Sequence, residues 1–235
     1  MRDVHWFTLD TKKLTLVAIL ASAYAALSLL PGIPMIGADG STIDLVRMLE
    51  IGYGLVLGPV YGPLAAFIGA VVGKIIKGGG LAMFFTPLAA VTAFEAAMIG
   101  RDNGKRWWVA AIAEAVLIAG WYVFEIGRVV WYFPVMHVAA LLTLLVLRGR
   151  ISAWINSEDR KQMSLGVFLC SFISTVAGHM LGNLIFIVLL APASSMFVAI
   201  FVVSLFERIG ISIGATIFTT SLLIAVRKMY PELLD

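Results

Sequence analysis

The chain has 235 residues, of which 61% are hydrophobic and 13% charged, with a mean hydropathy of +0.99. That balance lies far outside the range of soluble domains and assigns the protein to the lipid bilayer. The length fits one transmembrane domain over 1–235 without a soluble catalytic domain beside it, so any ATP hydrolysis is expected on another chain. A net charge of +3 would suggest nucleic acid in a soluble protein, but here the cations cluster between apolar runs, which orients membrane proteins instead. No nucleic-acid partner is expected.

Eight spans are predicted, over 12–30, 44–58, 60–77, 82–100, 107–131, 133–149, 164–190 and 195–227. The first follows Lys12 and Lys13 like the opening of a signal peptide, yet its cleavage context is weak and further spans come after it, so it reads as a retained helix. Pro31, Gly32, Pro34, Gly37 and Gly40 make 31–43 a loop, either a lid or idle coil. Ile51 to Gly73 then runs without Asp, Glu, Lys or Arg, interrupted by Gly58-Pro59 and Gly62-Pro63. Proline lacks an N–H and restricts the residue before it, so this run predicts two helices joined by a tight turn. Ser164 to Phe206 is equally free of these charges and about twice one crossing in length, with its break at Ala191-Pro192.

Charge parity supports the count. Lys12, Lys13, Arg101, Lys105, Arg106, Arg148, Arg150, Arg160, Lys161, Arg227 and Lys228 all fall on one side if the chain crosses eight times, and the opposite connections hold only Lys77 as a cation. The positive-inside bias then makes this a multi-pass protein of the cell membrane with both termini cytoplasmic. Six crossings satisfy parity as well if 107–149 does not fully cross. Within the connection Arg148 to Met163, residues Ile151 to Ile155 read as an amphipathic turn.

Catalytic chemistry finds no constellation. The lone Cys170 excludes an intrachain disulfide, and His5, His137 and His179 lack metal-ligand spacing. GKIIKGGG at 73–80 lacks the order of a phosphate loop. No catalytic residue, metal or cofactor is expected.

Polar side chains inside apolar spans are informative, because a charge near the bilayer centre costs about 2.5 kcal/mol or more. Asp44, Arg47 and Glu50 occupy successive turns at the start of the second span, as a local ion ladder would. His179 and Asn183, four apart, point the same way, either as a ligand wall or as an interhelical hydrogen bond. Glu207 and Arg208 are sequence neighbours set about 100° apart on a helix, so at least one is expected to face the interior. Trp121, Glu125, Arg128 and Tyr132 recur every three or four residues, with Tyr122 and Trp131 alongside, as a heteroaromatic ligand's site or as an interfacial belt. Trp107 and Trp108 read as an inner belt. On the first helix, Ala18, Ser22 and Ala26 form one small-residue stripe and Ala21 with Ala25 another, suited to close helix approach.

LVAILASAYAALSLL at 16–30, the Pro/Gly loop, LVLGPVYGPLAAFIGAVVG at 55–73, SFISTVAGHMLGNLIF at 171–186 and FERIGISIGATI at 206–217 together resemble the substrate-binding S component of energy-coupling factor vitamin transporters. The resemblance implies a membrane subunit that captures a vitamin or related micronutrient, docks with a transmembrane coupling subunit and two cytoplasmic ATPases, and reorients to release its cargo. Members usually have six helices, which makes the hairpin at 107–150 an insertion on a six-helix core. The resemblance puts polar binding residues near Glu207 and Arg208, and partner docking on Ala21 and Ala25 or on Ala18, Ser22 and Ala26. It does not choose among riboflavin, thiamine, biotin, folate and queuosine precursors. A structural or assembly subunit without a small-molecule ligand is the alternative.

Overall fold

The computed structural model describes residues 11–34, 42–43 and 45–234. Helix α1 (Thr11–Leu27) leads into a two-residue strand β1 (Ile33–Pro34), paired antiparallel with β2 (Thr42–Ile43). This ladder closes the base of the expected lid; the lid's middle, 35–41, and Asp44 lie outside the described residues.

Helix α2 (Met48–Ile76) is broken as its prolines require. Gly58 adopts φ 80° and ψ −172°, a conformation open to glycine alone, and Pro59 follows it. A Cβ added at Gly62 would sit 2.6 Å from the Tyr53 carbonyl oxygen, although residues nine apart in a straight helix are separated by about 13 Å. The arms 48–57 and 59–76 therefore fold back on one another as two helices with a tight turn. Arg101 closes the turn: its Nη1 donates to the carbonyls of Leu55 (3.2 Å) and Val56 (2.9 Å), which the break leaves without helical partners, and to that of Leu233 (2.9 Å).

A 3-10 turn at Gly80–Phe85 enters α3 (Pro87–Gly100). There follow α4 (Trp107–Val123), α5 (Glu125–Val129), α6 (Val135–Leu147), α7 (Arg150–Ile155), α8 (Arg160–Leu190) and α9 (Ser194–Met229). Ala191, left-handed at φ 41°, and Pro192 separate α8 from α9. By length and composition four helical stretches can cross a membrane, Leu45–Ile76, Gly80–Gly100, Arg160–Leu190 and Ser194–Met229, and α4 and α6 are shorter apolar helices. The protein is an all-α integral membrane bundle.

One predicted span needs correction. The run 107–131 is not a single helix, because Phe124 is extended (ψ 146°) and ends α4. Helix α5 then tucks beneath that end so closely that any side chain at Gly127 would strike the Trp121 carbonyl.

Small residues let the helices approach without a hydrophobic drive between them. Ala21 and Ala25 of α1 are buried against α2, where a Cβ at Gly69 would lie 2.9 Å from the Ala21 carbonyl oxygen and one at Gly73 would collide with Ser28. Gly178 and Gly182 bring α8 against Thr92 and Leu88 of α3. Short α7 buries Ile151, Ser152 and Ile155, as an amphipathic turn should, and Ser152 Oγ donates to the Gly100 carbonyl (2.7 Å). Helix α9 is the least enclosed, with 28% of its apolar window buried against half or more for the other long helices.

Candidate functional site

The helix breaks gather aromatic and polar side chains at the end of the bundle away from the basic connections. Trp121, at the last turn of α4, stacks on Phe133 (centroids 4.8 Å apart) and meets Phe197, from the first turn of α9, edge-on at 5.0 Å. Phe133 also lies 6.1 Å from the His179 ring, tilted by 32°. His179 of α8 stacks almost flat on His137 of α6, at 5.4 Å and 7°, with Nδ1 and Nε2 3.3 Å apart. One of those two nitrogens donates to the other. The Asn183 amide, one turn further along α8, reaches the His179 ring at 3.4 Å. Helical spacing made His179 and Asn183 legible as a pair; it is silent on His137, 42 residues away, because the pairing exists only through the α6–α8 contact.

Arg208 comes to this end from α9 and is buried, with 4% of its surface exposed. It forms an ion pair with its neighbour Glu207, the less buried of the two. The expectation that one of them faces the interior is met by Arg208. Its charge acts on Glu50, His137 and His179, so the groups share one electrostatic environment. Glu50, at the start of α2, is buried too, and the Tyr24 hydroxyl of α1 donates to its Oε1 at 2.8 Å. Sequence reading placed Glu50 in a local ion ladder with Arg47 and Asp44, the last outside the described residues; the bundle adds a partner from another helix.

Several polar atoms at this end have no hydrogen-bond partner among the described residues: Trp121 Nε1, Arg208 Nε, His137 Nδ1 and Thr175 Oγ1. The first two are obligatory donors, so a molecule bound among them must supply acceptors. Glu125 and Arg128 do not belong to the cluster. Both are exposed on α5, and because the helix ends at Val123 they do not continue the face of Trp121. Trp131 and Tyr132 are exposed as belt residues should be.

On α1 the two stripes part. Ala21 and Ala25 are consumed in packing on Gly69 and Gly73, whereas Ala18, Ser22 and Ala26 are exposed, with Ser22 Oγ bonded back to the Ala18 carbonyl (2.8 Å).

Compared with known families, residues 8–190 match the ECF-type riboflavin transporter, S component. The chain belongs to this family. S components are substrate-binding subunits of transporters and not themselves enzymes. A protein of Methanocaldococcus jannaschii described only as "Uncharacterized protein MJ0923" is 28% identical over 189 residues, covering 78% of this chain and 61% of the relative. The chain thus spans about three fifths of the length of the curated relative it matches. No solved structure matches it.

Proposed function

We propose that this S component captures a micronutrient at the aromatic, polar end of the bundle, facing the exterior, and passes it to an ATP-driven importer made with a transmembrane coupling subunit and two ATPases. The observation that carries the reading is a set of buried donors on different helices that have no partner among the described residues, Trp121 Nε1 on α4 and Arg208 Nε on α9, at the end of the bundle that also holds His179 and Asn183 of α8. An unsatisfied buried donor costs about 1–3 kcal/mol, and a ligand bearing carbonyl or ring-nitrogen acceptors removes that penalty as it binds. Stacked Trp121, Phe133, His137 and His179 favour a flat ring system, in keeping with the flavin in the family's description. Glu207 holds Arg208 in place from the α9 side. Ala18, Ser22 and Ala26 receive the coupling subunit.

Mass spectrometry of small molecules released from the gently purified, denatured protein should identify the cargo. Arg208→Ala and His179→Ala should each weaken its binding by about tenfold or more while the protein still inserts, as expected when a hydrogen bond to a ligand is lost. If both variants and Asn183→Ala bind as the parent does, the site lies elsewhere. If no molecule is released and none binds, the alternative of a structural membrane subunit takes its place.

A further inference from the structure

At the opposite, basic end, two cavities of about 850 and 340 Å³ share Arg227 and Glu158 in their walls. Arg227 is held rigidly between them. Its Nη2 donates to the Ile155 carbonyl (2.7 Å) and Asn156 Oδ1 (3.4 Å), and its Nη1 to the Ser157 carbonyl (3.1 Å). Those acceptors are uncharged; Glu158, in the shared wall, is the carboxylate that acts on the guanidinium, without forming an ion pair with it. Among the described residues no carboxylate forms an ion pair with Arg227, Lys105, Arg160 or Lys228, and Asp102, the other acid in these walls, is occupied by Arg106 at 3.1 Å. Among the described residues, six cations and two carboxylates line the two adjoining cavities.

The floor has a different character. Leu55 and Leu223 lie beneath the larger cavity, Met163 and Ile224 beneath the smaller. Leu165 and Met229 are exposed near the same ends of α8 and α9. Trp107, with the Arg148 guanidinium 5.6 Å above its ring, and exposed Trp108 stand at the same end of the bundle, as residues at the headgroup level do. A cationic rim over an apolar floor at this depth matches a molecule that is anionic at one end and hydrocarbon at the other. Three of the five N–H groups of Arg227 are spent on these acceptors, which leaves Nε–H and one Nη1–H to meet a phosphate oxygen beside the fixed positive charge.

We propose that the joined cavities bind an anionic phospholipid, its phosphate seated on Arg227 with Arg160 and Lys228 at the rim and its chains along α8 and α9. This site is separate from the substrate end and holds whichever solute is carried.

The test is native mass spectrometry of the full chain, titrated with phosphatidylglycerol and with phosphatidylcholine of the same acyl chains. Phosphatidylglycerol should be retained preferentially. Each basic side chain near a membrane surface supplies about a fivefold factor, so Arg160→Gln/Lys228→Gln should lower that preference about twentyfold, and Arg227→Gln should lower it further. The double variant alters exposed positions and keeps the test valid if Arg227→Gln does not fold. Equal retention of the two lipids overturns the proposal, as does a preference unchanged in the double variant. Displacement of phosphatidylglycerol by millimolar inorganic phosphate also overturns it, because the cavities would then take the phosphate group alone.

Discussion

Gly58 carries the turn of α2, and its backbone conformation is one that side chains do not tolerate. Gly58→Ala should destabilise the bundle by about 1–3 kcal/mol, the range for a residue forced into such a region, seen as a lower Tm in detergent. An unchanged Tm would show that the turn relaxes around the methyl group. Glu95 and Glu114 present the reverse situation: both are fully buried, on α3 and α4, and all four carboxyl oxygens lack a partner among the described residues. Since an uncompensated charge in lipid costs about 2.5 kcal/mol or more, the isosteric Glu95→Gln/Glu114→Gln protein should melt no lower than the parent. A clear drop would mean that something other than the surrounding helices stabilises these carboxyls. Residue spacing reveals only neighbours on the same helix. It therefore exposed His179 with Asn183, and it could not expose Glu50 with Tyr24 or His179 with His137, whose partners come from elsewhere in the fold.

Helix α1 has two small-residue faces with different fates, and substitutions separate them. Ala21→Trp must displace α2 at Gly69 and should lower stability by about 1–3 kcal/mol, as overpacking does. Ala26→Trp faces outward and should leave the Tm and solute binding intact while impairing uptake in a reconstituted transporter. Normal uptake by Ala26→Trp, together with Ala18→Trp, would remove the docking role of that face. Both stripes are visible in the sequence because both repeat every four residues; only the glycines of α2 decide which is taken up internally. The end of α4 was hidden for a similar reason. Glu125 and Arg128 follow Phe124 at helical spacing, so the pattern reads on as one span and cannot register a stop set by one extended residue and by the close approach of Gly127.

For the molecule as a whole, the segregation of cations predicts which connections share a side. The only cysteine, Cys170, is buried, which gives a quiet background for labelling. In intact cells, Ser195→Cys should react with an impermeant maleimide, and Lys105→Cys and Lys161→Cys should react only after the membrane is opened. Labelling of all three from outside would undo the eight-crossing arrangement. The four long apolar helices could be read from hydropathy, which acts along the chain. The cavities at the basic end could not, since they arise where the connection after α3, the turn after α7 and the end of α9 meet in space.

Because α9 is the most weakly enclosed of the long helices and yet delivers Arg208, recognition and scaffolding are unevenly divided in this fold. On the proposed reading, the ligand's charged partner is carried by the helix whose outer rows touch the fewest neighbours, so those rows can vary while the glycine-sealed remainder stays intact.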